Sequence, residues 1–319
     1  MNKPRLVWLG FAAAALSLVL FWTAPRFRRA PDFSSTTNVI VTTQRNPRPT
    51  SPIAVPTAGA GISKPNVPSR LVGVLGLDPT LDFHARLAAI HRLRGPITTE
   101  ELYALADFVR GSYDTTNRSE NTTLKNDVLD ALRELQVGAT IIVPVLLDVF
   151  RDREQDSVMR DYALQHLVSW YDLADATGIQ PALWDALGER RESLAGTALL
   201  GLHRLAMQHE GFDRAQIDVA AVNIFRDKQC GELARITAIQ VCAQRQRTEV
   251  LSDLLIQVRG SKSIPTRIAA VAALGELGGK AEVAFLVSLA RGPSAALQPA
   301  VHSALKRLRE RLNPPKASL

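Results

Sequence analysis

Residues that could bind a metal or carry catalysis are few and scattered in this chain of 319 residues. None of the histidines forms the H-E-x-x-H zinc motif, and His203 and His209 are six residues apart, off the i, i+4 spacing that lets two ligands share a metal. Cys230 and Cys242 lie about 18 Å apart along one predicted helix, which forbids a disulfide. The other histidines are His84, His91, His166 and His302. The sequence therefore predicts no metal site, no cofactor and no catalytic residue.

A basic residue recurs at the end of six helical runs, and in five of them a glycine or aspartate follows it, as in Val109-Arg110-Gly111 and Phe150-Arg151-Asp152. A row of arginines can donate paired hydrogen bonds to carboxylates of an acidic partner. Alternatively, each cation satisfies the last carbonyls and the negative dipole end of its own helix. We take the six as a candidate partner-binding stripe: Arg110, Arg151, Arg190, Arg226, Arg259 and Arg291.

The charge of the chain is divided unevenly. It has 38 lysines and arginines against 31 aspartates and glutamates, a net charge of +7. Residues 1–70 hold nine of the basic residues and one acidic residue, Asp32, so they contribute +8. Residues 71–319 hold 29 basic and 30 acidic residues and carry −1. Because phosphate contacts require concentrated positive charge, residues 71–319 are not expected to bind nucleic acid.

The elements that must position these residues repeat along the chain. In the stretch from Arg267 to Leu277, apolar residues at +3, +7 and +10 from the arginine share one helix face. The pattern recurs, and its central residues, here called anchors, lie about 36 residues apart on average. Stacked helix pairs would bury these faces, and an array of four-helix bundles is the alternative. The anchors are Ile90, Leu132, Leu167, Leu202, Cys242, Leu274 and Leu305.

The segment 267–279, RIAAVAALGELGG, resembles the first helix of a HEAT repeat of the short type named after phycobilisome lyases. The resemblance is close over 263–292 and looser in the other copies. It implies an all-α fold, an α-solenoid of about six to seven antiparallel helix pairs with a concave face for partners.

Two classes of enzyme share this repeat, the phycobilin lyases and the di-iron deoxyhypusine hydroxylases. The hydroxylases repeat a His-Glu pair at several helix ends, whereas this chain has one such pair, His209-Glu210. One pair cannot build a dinuclear site, and no tetrapyrrole pocket is recognisable. Because a shared scaffold does not carry function, the resemblance implies neither activity.

Residues 6–24 are 19 residues without charge or proline, enough for a helix of about 28 Å that crosses a membrane. A cleaved signal peptide is the alternative, but Trp22 and Pro25 do not suit a cleavage site. Residues 25–70 hold 8 of the 18 prolines and predict a disordered linker. The predicted domains are a transmembrane anchor at 1–24, the linker at 25–70, the helical repeat domain at 71–312 and a tail at 313–319.

The sequence thus predicts a single-pass membrane protein, held by residues 6–24, with its repeat domain on the non-cytoplasmic side. The predicted function is a monomeric, membrane-tethered HEAT-like scaffold that binds a protein partner and has no catalytic activity. The alternative is a HEAT-type, lyase-like enzyme with a cryptic site.

Overall fold

The computed structural model describes residues 67–173 and 176–313, which belong to one compact unit. This part of the chain holds fourteen α-helices and no β-strand. The first seven helices are α1 (Val72–Leu75), α2 (Phe83–His91), α3 (Thr99–Arg110), α4 (Arg118–Glu134), α5 (Ala139–Arg151), α6 (Ser157–Ser169) and α7 (Ile179–Ala186). The others are α8 (Leu194–Gln208), α9 (Arg214–Arg226), α10 (Glu232–Gln244), α11 (Leu251–Gly260), α12 (Ile264–Leu277), α13 (Lys280–Ala290) and α14 (Gln298–Leu312).

The helices form a repeating stack of pairs. The even-numbered helices pack on one another in order from α2 to α14. Each odd-numbered helix packs on the even-numbered helix that follows it, so that the described residues form seven helix pairs, from α1–α2 to α13–α14. The predicted HEAT-like helical repeat is confirmed. The pairing differs from the expected one, in which each anchor helix precedes its partner.

The anchors are buried as the repeat pattern predicts. All seven lie on even-numbered helices; Leu305 is 6% exposed, and the other six are fully buried. Each even-numbered helix is covered by its neighbours in the row and by an odd-numbered helix, so its apolar face is shielded only when the stack forms.

In four of the seven pairs, a polar side chain seven residues before the anchor bonds to the end of the preceding helix. Arg160 Nε donates to the carbonyl of Phe150 at 2.8 Å, and Arg267 Nε donates to the carbonyl of Val258 at 2.9 Å. Arg235 and Gln298 make the same bond to the carbonyls of Asp227 and Gly292. The last carbonyls of a helix have no partner within it, and these donors satisfy them across the turn.

The predicted membrane helix is not supported by the structure. Residues 6–24 and most of the predicted linker lie outside the described residues, and no helix between 67 and 173 or between 176 and 313 is long and apolar enough to cross a membrane. The predicted fold class, which included a transmembrane helix, is therefore corrected to an all-α helical repeat. The predicted single-pass membrane localisation is not supported. Most of the predicted tail, residues 314–319, also lies outside the described residues.

We expect Leu274→Ala to lower the free energy of unfolding by about 2–5 kcal/mol, because it removes a fully buried anchor and leaves a cavity. The matched control is Leu233→Ala on α10, where the leucine is 50% exposed and the same truncation should change stability by less than about 0.5 kcal/mol. Urea denaturation of the full chain measures both. Equal losses would contradict the observed helical register.

Candidate functional site

Three of the six arginines of the predicted stripe connect neighbouring helix pairs. Arg190 Nη1 lies 3.3 Å from Asp227 Oδ2, and Arg226 Nε donates to Asp253 Oδ2 at 2.9 Å. The Arg259 guanidinium lies over the ring of Phe285, 5.0 Å from its centre. In each case the partner belongs to the next helix pair, so these cations are engaged in holding the stack.

The other three arginines form no ion pair with another helix pair in the described part of the chain. Arg110 pairs with Asp107 of its own helix at 3.0 Å, and Arg151 and Arg291 are exposed, with no hydrogen bond or ion pair from their side chains to the described residues. Among the six arginines, Arg190 alone donates to the end of its own helix, where the Leu187 carbonyl accepts at 3.4 Å. The partner-binding role of the six arginines stays a prediction.

The histidines and cysteines do not come together in the structure. No group of three or more histidine, cysteine or acidic side chains among the described residues could hold a metal ion. His209 Nε2 lies 3.3 Å from Asp172, and no further ligand joins them, so the residues present do not fit a dinuclear iron site. Cys230 and Cys242 are both free, and burial raises the pKa of the Cys242 thiol to about 12.

A cleft of about 250 Å³ opens where the turns of two neighbouring helix pairs meet. One wall is the α3–α4 turn and the first two turns of α4, and the other is the α5–α6 turn. Every side chain that lines it is polar or charged. The lining residues are Asp114, Thr115, Thr116, Arg118, Asn121, Thr122, Lys125, Glu154, Gln155 and Asp156.

Hydrogen bonds fix one wall of the cleft and join it to the other. Asn121 bonds to Thr115 through both ends of its amide, donating to the carbonyl at 2.7 Å and accepting from the hydroxyl at 2.9 Å. Thr122 Oγ1 donates to Asp156 Oδ2 at 3.2 Å and so joins α4 to the next turn. The second oxygen of Asp156 accepts from the amide of Val158. These bonds fix the walls and leave other polar groups open to the cleft.

An ion pair lies at the base of the cleft. Lys125 Nζ donates to Asp114 Oδ2 at 2.8 Å, and the lysine side chain is only 2% exposed. Three charged groups that line the cleft are open to it, with no hydrogen bond or ion pair to the described residues. They are the second oxygen of Asp114 and the side chains of Arg118 and Glu154. A ligand would therefore meet one cation and two carboxylate groups.

The sequence contained partial signals for this cleft. Lys125 occupies the position seven residues before an anchor, but the pattern alone does not separate it from arginines that cap a helix. α4 begins at Arg118 and is capped by Asn117, whose side chain accepts from the Glu120 amide at 3.3 Å. This start places Asn121 and Thr122 inside the helix, facing the cleft.

Comparisons with known proteins find a structural likeness that is weak. No family model matches the chain, and no curated protein matches it. Among solved structures, that of human deoxyhypusine hydroxylase in complex with glycerol is similar, with 20% identity and a TM-score of 0.35 over 75% of this chain and 95% of that one. This likeness is too weak to assign an activity.

The predicted function is nevertheless corrected. A membrane-tethered scaffold is not supported, because the described residues contain no helix that could span a membrane. The sequence predicted that the chain is not an enzyme because no catalytic motif is recognisable. This prediction is withdrawn together with the scaffold function.

We expect the triple variant Arg190→Ala, Arg226→Ala, Arg259→Ala to lose about 2 kcal/mol of unfolding free energy, since it removes three contacts between helix pairs. The matched control is the triple variant Arg110→Ala, Arg151→Ala, Arg291→Ala, which removes a single exposed ion pair. Thermal denaturation followed by circular dichroism compares the two. A control variant as unstable as the first would refute the assignment of these contacts.

A second expectation concerns His166, which is buried and whose Nε2 donates to the amide oxygen of Asn126 at 3.1 Å. Burial lowers its pKa from 6.5 to about 4. The unfolded chain therefore binds a proton at this histidine at a higher pH than the folded chain does. As the pH drops from about 6.5 to about 4, the free energy of unfolding should fall by up to about 3 kcal/mol. His166→Gln should flatten the pH dependence of the unfolding free energy, whereas His84→Gln, at an exposed histidine, should leave it unchanged.

Proposed function

We propose that this helical-repeat protein binds a small zwitterionic molecule in the cleft between the α3–α4 and α5–α6 turns. The observation that carries the proposal is the lining itself, in which ten polar or charged side chains and no apolar one surround about 250 Å³. Ligand pockets normally combine apolar walls with a few polar groups. A lining without apolar side chains suits a ligand that is charged or polar over most of its surface.

The cationic side of the cleft supports an acidic group on the ligand. Arg118 is the first residue of α4, and its guanidinium has no partner among the described side chains. The amino end of this 17-residue helix carries the positive end of its dipole. A carboxylate bound there would receive paired hydrogen bonds from Arg118 and be favoured by the dipole.

The anionic side supports an ammonium or guanidinium group on the same ligand. The Glu154 carboxylate and the second oxygen of Asp114 are open to the cleft, while Asp156 is used in holding the walls. The size of the cleft limits the ligand, since pockets for drug-sized molecules begin at about 300 Å³. An amino acid or a molecule of similar size satisfies both charge and volume.

Isothermal titration calorimetry on the full chain tests this proposal with four probes: L-arginine, L-glutamate, putrescine as a cation alone and succinate as an anion alone. We expect at least one amino acid to bind more tightly than putrescine and succinate. Arg118→Ala and Glu154→Ala should each weaken that binding about tenfold, which corresponds to the loss of one charge-assisted hydrogen bond.

The control for these variants is Arg92→Ala, an exposed arginine on another turn that should leave binding unchanged. Absence of saturable binding by any probe, or binding that survives both cleft variants, would refute the proposal.

A second candidate is an enzyme that acts on the ligand in the same cleft. It is favoured by one observation, the nearly complete burial of the Lys125 ammonium against Asp114, because a lysine and a carboxylate in contact can serve as a proton-transfer pair. Incubation of the bound probe with the wild type and with Lys125→Met, followed by mass spectrometry, separates the two candidates. A product formed only by the wild type favours the enzyme, and an unchanged probe favours binding alone.

A further inference from the structure

We propose that the exposed faces of α3, α5 and α7 bind a proline-rich, basic segment of another protein in an extended polyproline conformation. This surface, here called the Tyr-Pro face, is separate from the cleft. It is defined by an apolar row, Tyr103, Pro144 and Pro181, and by the carboxylates near that row.

The apolar row occupies one equivalent position on three consecutive odd-numbered helices. Tyr103 is 56% exposed on α3, and Pro144 and Pro181 are exposed on α5 and α7. Each is followed four residues later by an aspartate, so the three positions correspond. Because α3 packs on α5 and α5 packs on α7, the three side chains form a line across the helices. Polyproline segments dock on exposed aromatic side chains, and Tyr103 supplies one in this row.

The spacing of the row agrees with the period of a polyproline helix. Packed helices lie about 8–10 Å apart, so equivalent residues on neighbouring helices recur at about that distance. A polyproline helix has three residues per turn and rises about 3.1 Å per residue, which gives a period of about 9 Å. A polyproline segment that crosses the three helices therefore turns the same side toward each of Tyr103, Pro144 and Pro181.

The charges beside the row indicate a basic segment. Asp148 and Asp185 lie one helical turn after Pro144 and Pro181 and have no side-chain partner among the described residues, and Glu100 is equally free one turn before Tyr103. Asp107, by contrast, is paired with Arg110. The one free cation of these three helices is Arg151, at the end of α5. Three free carboxylates against one arginine favour a cationic ligand.

The later repeats lack the combination, which limits the site to the first three odd-numbered helices. The positions equivalent to the aspartates are Asn223, Ile256 and Ser288, and the row continues as Val219, Ser252 and Ala284. Trp184 and Leu147, each next to a free aspartate, are partly buried and pack against the core.

Fluorescence anisotropy of the full chain with a labelled (Pro-Pro-Arg)₄ peptide tests the proposal. We expect saturable binding of the peptide, and Tyr103→Ala should weaken that binding about tenfold. The double variant Asp148→Asn, Asp185→Asn should also weaken the binding and make it less dependent on salt concentration. All three side chains are at the surface, so the variants should melt with the wild type. Val219→Ala, at the equivalent position of α9, is the matched control and should bind normally.

Two comparison peptides and one hydrodynamic measurement make the test decisive. Equal binding of (Gly-Gly-Arg)₄ would show attraction by charge alone and overturn the proposal, as would binding of (Pro-Pro-Glu)₄ or the absence of saturable binding. Sedimentation of the free chain examines the other possible occupant, a second copy. A dimer lost in Tyr103→Ala would assign the face to self-association and would also overturn the proposal.

Discussion

Burial of the even-numbered helices is the constraint on which the other features depend. Each of these helices presents an anchor and its flanking apolar residues to neighbours on more than one side, and no single helix pair can cover all of them. The core therefore runs along the whole stack. Any substitution that weakens one contact between pairs acts on a continuous core, and the stability of a pair is set largely by its neighbours.

The polar residues at the turns follow from this stacking. Because the pairs repeat, the carbonyl ends of the odd-numbered helices come to lie beside the starts of the even-numbered ones, and a polar side chain at a fixed distance before the anchor satisfies those carbonyls, as Arg160 and Arg267 do. Arg190 and Arg226 act between pairs in a related way. Most of the arginines that stand out in the sequence are thus part of the scaffold.

The cleft is a place where the polar residue before the anchor takes another partner. At the α3–α4 turn the equivalent residue is Lys125, and its partner is the carboxylate of Asp114 in place of a carbonyl. The side chains of Arg118 and Glu154 stay open beside it. A departure from a repeated structural role is a reason to look for function there, because the other copies show that the fold itself does not require it. The Tyr-Pro face is a second departure, since exposed aromatic and proline residues are not needed to hold the stack.

The sequence by itself determined the repeat, the helical class and the buried anchors, because apolar residues at helical spacing must be covered and their period is visible without coordinates. It predicted the wrong partner for each anchor helix, because the pattern is equally compatible with the helix before and the helix after. It also could not separate arginines that bridge helix pairs from arginines open to solvent, since Arg226 and Arg151 occupy the same sequence position. Only the tertiary structure decided these points and brought Asp114, Arg118 and Glu154 to one cleft, because hydrogen bonds and ion pairs between turns depend on distances that residue spacing does not encode.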